Sequence, residues 1–244
     1  MTGTATEPVY RSDPYAVSCN AVVVAVTPRG GIVLDRTVFY PTGGGQPGDS
    51  GLLRLASGEE IAIVTAVKGG PEDGGPDIVV HVPAEGSTVP AAGTPATAEL
   101  DWARRHGHMR VHTALHLLSA VLPYPVTGGQ IGDGKGRLDF DIPEGGLDRD
   151  AIDAELNRLV MADAPVDTDW ISEAELAAQP ELVKTMSVKP PSGAGKVRLI
   201  RIAGLDLQPC GGTHVARTGE IGPVEVTKIE KKGRQNRRVA IQLK

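Results

Sequence analysis

Glycine and proline interrupt the first part of the chain so often that only short strands fit between them. The 244 residues contain 31 Gly and 19 Pro, and up to about residue 100 most β-rich runs end at or near one of them. Residues 18–27 form such a run, and Arg29-Gly30-Gly31 turns it into residues 32–35 as a hairpin would. Residues 37–40 read as another strand, ending at Pro41 and Gly43-Gly44-Gly45. Further strands are expected over 52–55, 61–67, 78–82 and 96–100. Regular short strands with this punctuation predict a small β-barrel. The stretch 83–97, rich in Pro, Gly and Ala, reads as a connector and divides a domain 1–97 from a domain 98–244.

Beyond it the pattern changes. A helix is expected over 101–122, capped by Asp101, stopped by Pro123, and striped by Val111, Ala114, Leu115, Leu118, Val121 and Leu122. Gly107 weakens its early turns and favours a start nearer His108. A second helix is expected over 148–162. Strands are expected over 127–130, 137–142, 166–170, 197–202, 224–230 and 237–243. Helices and antiparallel strands in separate blocks predict an α+β fold: a barrel domain, then a domain with an antiparallel sheet and a metal-bearing helix.

Composition narrows the class. With 40% hydrophobic and 23% charged residues the chain reads as globular. No apolar run approaches the roughly 18 residues of a membrane span. Two cysteines make no disulfide framework, and the start has no apolar signal core, so a cytoplasmic location is expected. The net charge is −5, unevenly spread. Residues 228–244 carry seven basic groups against Glu230 alone, whereas 144–182 carry eleven carboxylates against Arg149 and Arg158. One face suited to a polyanion is implied, the alternative being a solvated basic hairpin.

Two short motifs carry chemistry. In His112-Thr113-Ala114-Leu115-His116 the histidines lie four apart on one helix face and can reach one ion, or can merely border a core face. Metalloproteases place a Glu directly after the first His as general base; Thr113 stands there, so that reading has no base. In Cys210-Gly211-Gly212-Thr213-His214 the Cys and His are again four apart, with glycines that permit a tight turn. Cys210 alone would pass for a small buried hydrophobe. Together the motifs offer a complete tetrahedral donor set in a chain with six His and two Cys. One zinc ion per chain is expected.

These motifs, with Thr218-Gly219-Glu220-Ile221-Gly222 after the second, resemble the editing domain of alanyl-tRNA synthetase. They are similar also to the free-standing AlaX-type editing proteins and, more distantly, to the threonyl-tRNA synthetase editing domain. A third match is Phe39-Tyr40-Pro41-Thr42-Gly43-Gly44-Gly45-Gln46-Pro47-Gly48-Asp49, like the family's glycine-rich loop. An aminoacylation domain has no room here, so the chain looks like the medium-sized AlaX class.

The resemblance implies His112, His116, Cys210 and His214 as metal ligands, with Cys210 and Gln46 as catalytic residues. Gln46, with Gly44 and Gly45, would border the editing pocket; the loop lacks the Lys-Ser/Thr of a phosphate-binding P-loop. Thr127 and Gln130 are expected to read the amino acid, and Arg237 and Arg238 to hold tRNA phosphates. Asp139 and Asp141 read as structural. His108, one turn before His112, reads as solvent-facing or as a substrate contact.

The implied reaction is ester hydrolysis of tRNA(Ala) wrongly carrying serine or glycine, with no membrane and no obligate protein partner. Such proofreading is needed because a pocket for alanine rejects an added hydroxyl by only about 10². Backbone N–H groups around residues 211–213 are candidate oxyanion donors. Four protein ligands close a zinc site, whereas a catalytic zinc keeps a position open. Either His214 is displaceable or the zinc orders the pocket. The alternative function is a non-catalytic zinc-stabilised RNA-binding module.

Overall fold

The computed structural model describes residues 5–143, 146–185 and 195–244; Glu144 of the acidic stretch lies outside them. The chain forms two compact units, Met1–His106 and Gly107–Lys244.

In the first unit β1 (Glu7–Pro8) is followed by the short helix α1 (Val9–Ser12). Then come β2 (Ser18–Val26), β3 (Ile32–Leu34), β4 (Arg36–Thr37), β5 (Gly51–Leu55), β6 (Glu60–Lys68), β7 (Val79–Pro83) and β8 (Pro95–Leu100). Six of these close a barrel in the order β2-β3-β7-β6-β5-β8, as expected of a strand-rich segment, while β1 and β4 pair separately. Strand β8 pairs with both β2 and β5, so 95–100 completes the barrel. Alternation points Ala21 and Val23 of β2 inward, against Ile32, Leu34, Leu53 and Ala98. In β6 Ile61 and Ile63 face inward, then a register shift between Ile63 and Thr65 passes the inward position to Ala66.

The strand expected over 37–40 is a correction. Only Arg36–Thr37 is strand; Val38, Phe39 and Tyr40 leave the ladder yet stay buried. Side chains take over their main-chain bonds. The Val38 carbonyl accepts from Arg105 Nη2 at 2.6 Å, and Tyr40 N–H donates to Asp49 Oδ2 at 2.6 Å. Arg105 and Asp49 form an ion pair with no side-chain exposure. The guanidinium also donates to the Pro14 carbonyl at 2.9 Å.

The glycine-rich loop is a tight turn above this pair. Gly43 and Gln46 exchange both main-chain hydrogen bonds at 3.0 Å. Gly44 (φ 58°) and Gly45 (φ 81°) supply the two left-handed positions between them, which a side chain would strain.

The second unit takes most of α2 (Trp102–Val121), then β9 (Val126–Gly132), β10 (Lys135–Asp141) and α3 (Arg149–Met161). It continues with β11 (Val166–Ser172), α4 (Glu173–Ala177), β12 (Lys196–Ile202), β13 (Asp206–Pro209), β14 (Val224–Lys231) and β15 (Asn236–Leu243). Two antiparallel sheets result, ordered β14-β15-β10-β9 and β11-β12-β13. Helix α2 starts at Trp102, not near His108, because Asp101 Oδ1 caps it through Arg104 N–H at 3.1 Å. Gly107 does not break it.

Helix α2 lies against β10 at Gly136, where a Cβ would come within 2.6 Å of Val111 Cγ1. Helix α3, capped by the Asp148 side chain, covers the edge of β14. Asn157 bonds both the N–H and the C=O of Val224, and Asp153 accepts from Val226 N–H at 2.6 Å. An open sheet edge is thereby satisfied by helix side chains. Strand β13 and helix α4 were not expected from the sequence.

Asp49→Ala should destabilise the protein by about 3–5 kcal/mol, since it leaves the Arg105 guanidinium buried without its counter-charge. Urea unfolding followed by circular dichroism measures this, and an unchanged midpoint would show the pair to be dispensable.

Candidate metal centre

From Val111 to Ser119 helix α2 is buried on every side. Its apolar stripe is the expected one, but its other stripe is polar. His108, His112, His116 and Ser119 recur at helical spacing and are all at most 8% exposed. His108, expected at the surface or on substrate, is therefore interior. Buried polar groups need partners, and for His112, His116 and Ser119 β13 with the chain beyond it supplies them. Asp206, Gln208 and Cys210 alternate at period two, and each reaches the helix.

His116 Nδ1 lies 2.9 Å from Asp206 Oδ2. Gln208 Nε2 donates to Asp206 Oδ2 at 2.7 Å and to Ser119 Oγ at 3.1 Å. Cys210 Sγ lies 3.4 Å from His112 Nε2 and 3.3 Å from His214 Nε2. The ligand atoms of His112, His116, Cys210 and His214 all fall within 4.8 Å of one another. The fold thus gathers the four residues named as ligands into one cluster that could hold a metal ion.

The surroundings fix which nitrogen each ring offers. Asp206 as a carboxylate can only accept, so His116 Nδ1 carries a hydrogen, and once the ring loses its other proton Nε2 offers the lone pair. Thr113 Oγ1 donates to the Met109 carbonyl at 2.9 Å, and His214 Nδ1 lies 3.3 Å from the same oxygen. A hydroxyl already donating accepts from His214 Nδ1–H, leaving His214 Nε2 to face the thiol. Thr113, where a metalloprotease would carry its base, here orients the His214 ring of the cluster. Lys184 Nζ completes the Asp206 shell at 2.6 Å from Oδ1.

Sequence reasoning missed Asp206, Lys184, Gln208 and this role of Thr113. The alternation Asp206-x-Gln208-x-Cys210 was the one available signal.

Electrostatics follow from this packing in the ion-free protein. Burial pushes the Cys210 thiol up, but the neighbouring imidazoles of His112 and His214 outweigh it and hold the thiol well below its ordinary value. Burial lowers His214 well below the usual histidine range. Burial also disfavours charge on His116, but the bonds to Asp206 and Cys210 win and raise it to about 9. Asp206 feels burial upward and His116 and Lys184 downward, with a net fall to about 2.

The other expected site residues lie elsewhere. Gln46 is 1% exposed, in the first unit. Thr127 Oγ1 donates to the Asp139 carbonyl at 3.1 Å and accepts from Asn236 Nδ2 at 2.9 Å. Gln130 is exposed and accepts from Arg137 at 3.1 Å. Arg238 makes a two-pronged pair with Asp139 at 2.7 and 2.8 Å. Arg237, the next residue on β15, points to the opposite face and contacts carbonyls of the 233–236 turn. Asp139, shared by Arg137 and Arg238, is structural, as read.

Residues 197–240 match the family model described as "Threonyl and Alanyl tRNA synthetase second additional domain". The alanyl-tRNA editing protein AlaX-M of Methanosarcina acetivorans is 35% identical, with 96% of this chain and 97% of that protein covered. The chain belongs to the AlaX family of alanyl-tRNA editing proteins. Another AlaX protein, AlaX-L of Pyrococcus horikoshii, is 33% identical over 93% of this chain and 55% of its own length. The alanine–tRNA ligase of Korarchaeum cryptofilum is 37% identical over 93% of this chain but only 25% of its own. AlaX editing proteins are hydrolases that deacylate mischarged tRNA, the enzyme class expected from the motifs. Among the described residues no helix is long and apolar enough to cross a membrane.

Asp206→Asn should weaken metal binding about 10- to 100-fold, the usual cost of losing an outer-shell partner; competition with a chromogenic chelator measures it. Metal binding should also release the His116 proton. Apparent affinity should rise with pH and level off above about 9, because the imidazolium form dominates below that value and must be displaced. Calorimetry in buffers of different ionisation enthalpy counts the proton, and a pH-independent affinity would contradict the assignment.

Proposed function

We propose that this protein hydrolyses the ester of serine wrongly attached to tRNA(Ala), with glycine as a second possible substrate, and that it does so with zinc. The observation that carries the reading is the buried His112, His116, Cys210 and His214 cluster in a chain of the AlaX family.

The donor set suits zinc. Zn–S of about 2.3 Å and Zn–N of about 2.0–2.1 Å in a tetrahedron give sulfur–nitrogen edges of about 3.6 Å. The observed separations from Cys210 Sγ are 3.4 and 3.3 Å. Zinc supplies Lewis acidity toward a carbonyl or a water molecule when a coordination position is open. His214 is buried and bonded to Thr113, which favours a permanent ligand and a mainly ordering metal.

Residues 98–244 act in this reading as the editing domain, and residues 1–97 as a barrel domain presenting Gly44, Gly45 and Gln46 to the aminoacyl end of the tRNA. Thr127 and Gln130 are assigned to reading the amino acid, each by exchanging a bond it already makes. A side chain that bonds the serine hydroxyl discriminates because alanine would leave it unpaired. Arg237 and Arg238 are assigned to phosphates, Arg237 with the greater effect because Arg238 is held by Asp139. The protein acts in the cytoplasm, on tRNA, without an obligate protein partner. The four-ligand closure and the basic 228–244 stretch equally suit a zinc-stabilised RNA-binding module without catalysis.

Deacylation of purified Ser-tRNA(Ala) separates the two. Hydrolysis is expected with metal-replete protein and is expected to disappear after chelation and with Cys210→Ala, whose tRNA binding should persist. Gln46→Ala should lower turnover with zinc content unchanged. Intact tRNA binding without hydrolysis by the parent would favour the RNA-binding module.

A further inference from the structure

The loop that carries Cys210 is held by a residue that no motif singles out. Arg198 on β12 is 8% exposed. Its Nη1 donates to the Cys210 carbonyl at 3.1 Å and to the Gly212 carbonyl at 2.8 Å. Its Nη2 donates to Thr168 Oγ1 at 3.1 Å, and its own carbonyl accepts from Cys210 N–H at 3.2 Å. One guanidinium therefore turns two alternate carbonyls of the loop to one side.

In a trans peptide the N–H points opposite to the C=O of the same unit, and the described residues contain no cis bond. Pulling the Cys210 carbonyl onto Arg198 directs the Gly211 N–H to the far side of the loop. Pulling the Gly212 carbonyl does the same to the Thr213 N–H. Among the described residues the Gly211 N–H makes no hydrogen bond, and Gly211 is exposed. Its φ is not in the left-handed region, and a Cβ there would meet nothing within 4 Å. Neither strain nor crowding requires glycine at this position. The absence of a side chain leaves the N–H open to close approach by another molecule.

We propose that Arg198 is a positioning residue that builds an oxyanion donor from the Gly211 N–H, beside the ligand Cys210. This deepens the deacylase reading and rests on it. A water oxygen adds to the seryl carbonyl carbon, and the carbonyl π pair moves onto its oxygen, where the Gly211 N–H stabilises it. Its collapse breaks the bond to the ribose oxygen, which takes the proton lost by the water, giving free serine and intact tRNA.

The test uses the full-length, metal-loaded protein with Arg198→Met and Arg198→Lys. Lysine keeps the charge but lacks the rigid fork that matches two carbonyls. The expected result is a kcat for Ser-tRNA(Ala) lowered about 10²-fold, the scale for one lost oxyanion donor, with KM and metal stoichiometry unchanged. If Arg198→Met does not fold, Arg198→Lys is read alone. A kcat within twofold of the parent overturns the proposal, and so does a loss that merely follows loss of metal.

A second measurement does not depend on turnover: the Gly211 amide resonance during titration with a non-hydrolysable 3′-serylamino-adenosine. A shift in the parent that is lost in Arg198→Lys is expected; no shift in the parent overturns the proposal. An inactive parent that still shows the shift defeats the deacylase reading and leaves the donor in place.

Discussion

Helix α2 has no solvent-facing side between Val111 and Ser119, so its polar stripe exists only because the neighbouring chain satisfies it. His116 is bound by Asp206, which is bound in turn by Gln208 and Lys184. His214 rests on Thr113, itself tied to the helix backbone. Once these bonds are made, the remaining lone pairs have only one another to face. A thiol and three imidazole rings gathered in this way form a cluster that could hold a metal ion, and its assembly requires α2 and β13 to be folded together.

Two residues show how identity and role separate. Thr113 lacks the basicity that would make the His-x-x-x-His helix a protease, and the hydroxyl there holds the His214 tautomer instead. Arg198, in a hydrophobic strand, holds the carbonyls of the ligand loop. On the proposed reading the closed donor set and the Gly211 N–H are complementary. A metal with four protein ligands has little room for substrate, and transition-state charge then falls to fixed main-chain donors.

The barrel solves a different problem with the same means. Its glycine-rich loop departs from the sheet, and residues 38–40 lose the ladder bonds that a strand would give them. The Arg105–Asp49 pair substitutes for those bonds, taking the Val38 carbonyl and the Tyr40 N–H. An ion pair this deeply buried is tolerated because the guanidinium and carboxylate also satisfy main-chain groups.

Local signals were enough for most of the elements and for the four residues that the fold gathers into the His/Cys cluster. Most strand positions followed from β-branched runs between Gly and Pro, the two long helices from apolar spacing, with an Asp cap for the first, and the four residues of the His/Cys cluster from two i, i+4 pairs. Each of these depends on chain neighbours alone. Residues 37–40 read as a strand because their composition is that of one; the bonds that remove them from the sheet come from Asp49 and Arg105, distant in sequence. His108 read as peripheral because a single helix has one apolar stripe, whereas α2 is buried along its polar side as well. Asp206, Lys184 and Arg198 carry no motif, since any acidic or basic residue in a strand or a connecting segment has the same local appearance. Their roles were decided only when the tertiary structure buried them against particular acceptors and donors, because burial, not residue type, is what makes a hydrogen bond obligatory.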